Sequence, residues 1–160
     1  MGSTTGRRLL WGSMALALGM TAAGAGALAQ SAGAKAVAVR QANFKQMGAA
    51  FKAINDELKN DKPNTAAISA QAKKLNDLAK TEQTWFLKGS GPEAGVKTAA
   101  KPEIWSDAAG FAAAVKSLQT EAAKLQQVSA GGNVDAIKAQ VKATGGACGS
   151  CHNKYRVKQS

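Results

Sequence analysis

The chain has 160 residues, with 21 Lys and Arg against 10 Asp and Glu, a formal net charge of +11, and aromatic side chains at only 5%. The basic residues are scattered. They form no block of about five or six like charges, as a tail would, and they are not interleaved with aromatics, which argues against nucleic-acid binding. Such a surface suits a solvated domain by default, or an acidic partner or anionic membrane.

Residues 1–29 read as a cleaved secretory signal peptide. Arg7 and Arg8 precede the apolar run Leu9 to Leu18, and Ala27-Leu28-Ala29 fits the small-x-small cleavage rule, which leaves Gln30 as the mature N-terminus. A retained membrane anchor is the competing reading; the Gly and Ala content and the lack of stop-transfer charges favour cleavage. Arg7-Arg8 in this context matches the twin-arginine route weakly, so general secretion and a periplasmic location are expected. Residues 30–160 keep nineteen basic and ten acidic side chains over 131 residues. That is enough for one domain with one core.

Within this stretch, Val37, Arg40, Phe44, Met47, Phe51, Ile54 and Leu58 step by threes and fours, which predicts one long helix after the small-residue start Ala32 to Lys35. Arg40 is a charge on that apolar stripe. Asn60 to Asn64, with Pro63, ends the helix. A second helix begins at Asn64 or Thr65, with the stripe Ile68, Ala72, Leu75 and Ala79, and fades at Thr81 to Thr84. A long connection follows, punctuated by Gly89, Gly91, Pro92, Gly95 and Pro102. The third helix carries Ile104, Ala108, Phe111, Val115, Leu118, Ala122 and Leu125. Ser129 to Gly132 breaks it, and Asn133 caps the fourth, whose stripe runs Val134, Ile137, Val141, Thr144, Cys148, Cys151/His152 and Tyr155. Four helices with one long crossover predict an all-α, antiparallel four-helix bundle with left-handed packing.

The chemistry sits in Cys148-Gly149-Ser150-Cys151-His152, the C-x-x-C-H signature of covalent c-type haem. The two thiols add to the porphyrin vinyl groups as thioethers, and His152, the chain's single histidine, donates a ring nitrogen to the iron. On a helix these residues share one face, so one haem c would lie near the C-terminal end of the fourth helix. Gly145 and Gly146, one turn earlier, suit close approach of the flat macrocycle or mark a kink. Three other readings compete. A zinc site lacks a fourth ligand, a thioredoxin-type pair lacks its βαβ context, and a disulfide would close too short a loop to stabilise much.

This arrangement resembles the cytochrome c prime family, the class II cytochromes c, in which the haem motif ends a four-helix bundle. The resemblance covers about Val37 to Lys158 and rests on Val39 to Lys45, Pro102-Glu103-Ile104-Trp105, and Cys148 to Arg156. It implies that Arg40 pairs with a haem propionate, assisted by Gln41, and that Arg156 lies on the proximal side of the iron. A charge at a helix end is the alternative for Arg40, and a solvated C-terminal charge for Arg156. Trp85 and Trp105 fit haem contact or plain core packing. Low-spin members of the family carry methionine where this chain has Phe44. Phenylalanine has no lone pair, and Met47, the one methionine past the leader, fits core packing on the stripe. A five-coordinate, high-spin haem is therefore expected, with an apolar distal face open to nitric oxide and carbon monoxide. The expected role is nitric oxide buffering or protection; a one-electron carrier docking a periplasmic or membrane redox partner is the alternative. No distal acid–base residue can be named from the sequence, so an enzyme is not expected. The family resemblance also implies a homodimer through the first two helices.

Overall fold

The computed structural model describes residues 1–2 and 23–158. The leader features Arg7-Arg8 and Leu9 to Leu18 lie outside the described residues. Five α-helices follow: α1 (Ala23–Glu57), α2 (Thr65–Thr81), the single turn α3 (Glu103–Ser106), α4 (Ala108–Ala130) and α5 (Val134–Tyr155). The long ones, α1, α2, α4 and α5, form the expected four-helix bundle; α3 is a lead-in to α4. No described helix is long and apolar enough to cross a membrane.

The predicted stripes are the core. On α1, Val37, Arg40, Met47, Ala50 and Ile54 are buried; on α4, Phe111, Val115, Leu118, Ala122 and Leu125; on α5, Ile137, Val141, Thr144 and Tyr155. Caps set the helix starts. Asn64 accepts a hydrogen bond from the Ala67 amide, and Asn133 accepts one from the Ala136 amide, both at 3.0 Å.

Three expectations change. First, α1 begins upstream of the small-residue start, because its alanine-rich sequence favours helix. The expected cleavage site after Ala29 thus falls within a helix of the uncut chain. Second, the third predicted helix is broken at Asp107, whose carboxylate accepts from the Gly110 amide at 3.1 Å and starts a new helix. The break turns Ala108 out to solvent, off the predicted stripe. Third, α5 runs unbroken through Gly145 and Gly146. A Cβ at Gly145 would meet the Phe51 ring at 3.3 Å, and one at Gly146 would meet nothing. Helix packing against α1 thus accounts for the first glycine.

The long connection opens with a 3₁₀ turn, Glu82–Trp85, and contains a second, Pro92–Ala94. It is strapped to α1, where a Cβ on Gly33 would lie 2.1 Å from the Gly89 carbonyl oxygen. Its far end pairs with the residues after α5. Ala100 and Arg156 form an isolated antiparallel bridge, the Lys101 amide donates to Tyr155 O at 3.0 Å, and the Val157 amide donates to Ala99 O at 2.8 Å.

Candidate haem site

Cys148, Cys151 and His152 all fall within the last eight residues of α5, so one helix face presents them together. Cys148 packs against the cluster containing Met47, Ala79, Trp85 and Phe44, and Cys151 against the one containing Ile104, Phe111 and Tyr155. Both cysteines are free and half-buried. Burial, reinforced by the charge of Glu82, pushes both thiols up, Cys151 to about 12. A redox-active or zinc-binding pair needs the opposite, a lowered thiol pKa. Among the described residues no group of three or more His, Cys, Asp or Glu is placed to hold a metal ion. His152 is exposed as a residue, yet the atoms crowding its ring, and then the Arg156 cation, hold its imidazole below the ordinary value. The neutral imidazole is the form that ligates a metal.

Arg40 is buried at 3% exposure. It donates to Ser90 Oγ, Ser90 O and Thr98 Oγ1, each at 2.9 Å, and reaches Trp85 O at 3.5 Å. Its guanidinium carbon lies 4.9 Å from the centroid of the Phe86 ring. All these partners are neutral, and no ion pair to Arg40 occurs among the described residues. Burial lowers its pKa, partly offset by Glu93. A buried cation held only by neutral groups lacks a counterion. A haem propionate is a group of the right charge.

Gln41 is exposed and donates to Lys97 O at 3.0 Å, so in this structure it fastens the connection to α1. Phe44 stands edge-on to Trp85, with centroids 5.3 Å apart, and packs on Phe86 at 6.0 Å. Trp105 Nε1 donates to Phe86 O at 3.2 Å. Arg156 is exposed, and its amide donates to His152 O at 3.1 Å, which closes α5 just past the motif.

Sequence reasoning missed Glu82. It is 2% exposed, its Oε2 has no hydrogen-bond partner, and desolvation lifts its carboxyl to about 7. The signal available was the α2 stripe, which continues from Ala79 by threes through Glu82 to Trp85. Two thiols and an imidazole on one helix face, an aromatic wall, and a buried cation without a counterion form a donor set that fits haem c.

The family described as Cytochrome C' matches residues 35–156. The chain belongs to the cytochrome c prime family. Cytochrome c' of Rubrivivax gelatinosus is 36% identical over 124 residues, 77% of this chain and 95% of that one. Its crystal structure superposes with a TM-score of 0.70 at 33% identity, covering 76% and 94% of the two chains. The nitric oxide complex of a cytochrome c prime variant from Alcaligenes xylosoxidans gives a TM-score of 0.71 at 30% identity, over 79% and 97%. A carbon-monoxide-bound variant from the same organism gives the same values. Cytochromes c prime bind haem c covalently, and haem c is the cofactor of this chain.

Proposed function

We propose that this chain is a periplasmic haem protein that binds nitric oxide and carbon monoxide and serves to buffer nitric oxide. Cys148 and Cys151 hold the porphyrin through thioethers, and His152 is the only protein ligand to the iron. Arg40 carries a propionate, with Gln41 beside it steadying the connection, and Arg156 lies on the proximal side. When bound, the haem would supply an iron that His152 would hold and that a small outside ligand could bind. The observation that carries this reading is the pairing of Phe44 and Met47. Phe44 stands against Trp85 and Phe86 and offers no donor atom, while Met47 is 5% exposed and packed within the same cluster. Past residue 29 the sequence holds no thioether besides this buried Met47 and no imidazole besides His152. Apolar walls exclude water and favour neutral diatomics.

Absorption spectra of protein matured with covalent haem test the reading. A broad high-spin ferrous Soret band that shifts on adding nitric oxide is expected. An unchanged band under nitric oxide overturns gas binding. Sharp low-spin α and β bands would overturn five-coordination and make electron transfer the better function. Mature protein beginning at Gln30, read from the intact mass of a periplasmic extract, tests removal of residues 1–29.

A further inference from the structure

Glu82 extends the buried stripe of α2 into the site. The inward positions run Leu75, Ala79, Glu82 and Trp85, and its two neighbours on that line pack in the cluster that also holds Phe44 and Cys148. The carboxyl is sealed from solvent, and Oε2 has no partner. Ala79 and Trp85 on its line pack in the cluster on which Cys148 lies, and its charge helps raise both cysteine thiols.

Among the described residues, no hydrogen bond or ion pair satisfies its Oε2. On α1, Arg40 is committed to Ser90 and Thr98. On α2, Lys80 is exposed and paired with Asp77; on α4, Lys116 is exposed, and Glu121 is held by Lys124 and Gln140. The thiols of Cys148 and Cys151 on α5 disappear when the thioethers form. No ion pair involves Glu82 among the described residues.

A buried carboxylate without a partner is costly, and a haem held by Cys148 and Cys151 would bring the iron's charge to the same end of the core. Ferric haem carries one more positive charge than ferrous haem. In a medium of low dielectric that difference favours the carboxylate in the ferric state and the neutral acid in the ferrous state.

We propose that Glu82 is a proton-binding site coupled to the oxidation state of the haem iron, taking up a proton on reduction and releasing it on oxidation. In the balanced step, a one-electron reductant gives its electron to Fe(III), which becomes Fe(II). The Glu82 carboxylate meanwhile takes one proton from water and becomes the acid. Linkage is reciprocal, so the proton raises the potential as the electron raises the proton affinity. The proposal rests on the haem reading of the site.

The test is a spectroelectrochemical titration of the haem-loaded protein and of Glu82→Gln, from about pH 5 to about pH 9. For the wild type, the reduction equilibrium should weaken by up to tenfold per pH unit between the two carboxyl pKa values, about 59 mV for a one-electron couple. Glu82→Gln, which mimics the neutral acid, should match the wild type at low pH and stay higher and flatter above it. Equal slopes in the two proteins, or a flat wild-type profile, overturn the proposal. Redox-difference infrared spectra of wild-type protein carrying ¹³C-labelled glutamate give a second readout that does not depend on the variant folding. A carboxylic acid band that appears on reduction and shifts with the label supports the proposal; its absence overturns it. A pyridine haemochrome assay on the same sample checks the haem separately: a c-type spectrum with no proton coupling overturns this inference alone, and no c-type spectrum overturns both.

Discussion

The guanidinium of Arg40 is sealed in the core and carries four contacts that no other side chain makes. Arg40→Ala would remove the guanidinium that holds the buried Ser90 carbonyl and the Thr98 hydroxyl, so a loss of about 3 kcal/mol is expected in urea unfolding of the haem-loaded protein. Phe44→Met would put a thioether in the aromatic wall beside Trp85 and Phe86, and a sharp low-spin ferrous spectrum is expected in place of the broad one. Glu82 should write itself into stability. Its folded pKa of about 7 lies above the ordinary 4.5, so the folded state holds the proton more tightly. Stability is then highest below about 4.5 and falls as the pH rises toward 7. The loss for this one group approaches about 3 kcal/mol above that range. Unfolding of the ferrous protein between these limits should show the fall, and Glu82→Gln should remove it.

At the scale of elements, the junction of α3 and α4 is a small lock. Asp107 caps α4, accepts from the Tyr155 hydroxyl at 2.8 Å and pairs with Lys154 at 2.7 Å. A Cβ on Gly110 would come within 2.3 Å of the Asp107 carboxylate and 2.7 Å of the Tyr155 hydroxyl. Gly110→Ala should therefore cost about 1–3 kcal/mol by overpacking, read as a lower unfolding midpoint. This lock was not legible in the sequence, because a regular spacing of apolar residues runs straight through Asp107, and only the cap shows the break. Glu82 was hidden for a related reason. The α-helical period ends at Thr81, but the 3₁₀ turn that follows repeats every three residues and keeps Ala79, Glu82 and Trp85 in line. The four long helices were legible, because each carries its apolar stripe locally. The C-x-x-C-H motif was legible for the same reason, its meaning lying in a spacing of a few residues. The partners of Arg40 were not, since Ser90 and Thr98 lie 50 and 58 residues away in a connection without a period.

The whole molecule separates its duties along the bundle. One cluster, with Ile54, Ile68, Leu125 and Ile137, contains none of the site residues, while Cys148 and Cys151 pack on the other two. Ile137, 0% exposed, anchors the cluster away from the site. Ile137→Ala should cost about 2–5 kcal/mol in unfolding while leaving the absorption spectrum as it was. Stability and haem chemistry are thus separable by mutation at this end and inseparable at the other.

The bridge between Ala100 and Arg156 closes a ring of polypeptide. From Arg40 the grip passes to Ser90 and Thr98, along the connection to Ala99 and Lys101, across to Tyr155 and Val157, and back up α5 to Cys148. Each join outside α5 is a hydrogen bond between distant parts of the chain. A ring of this kind cannot loosen at one point without slackening at the next. The amide protons of Lys101 and Val157 should therefore exchange with solvent deuterium at a common rate, and that rate would clock how often the pocket unlatches.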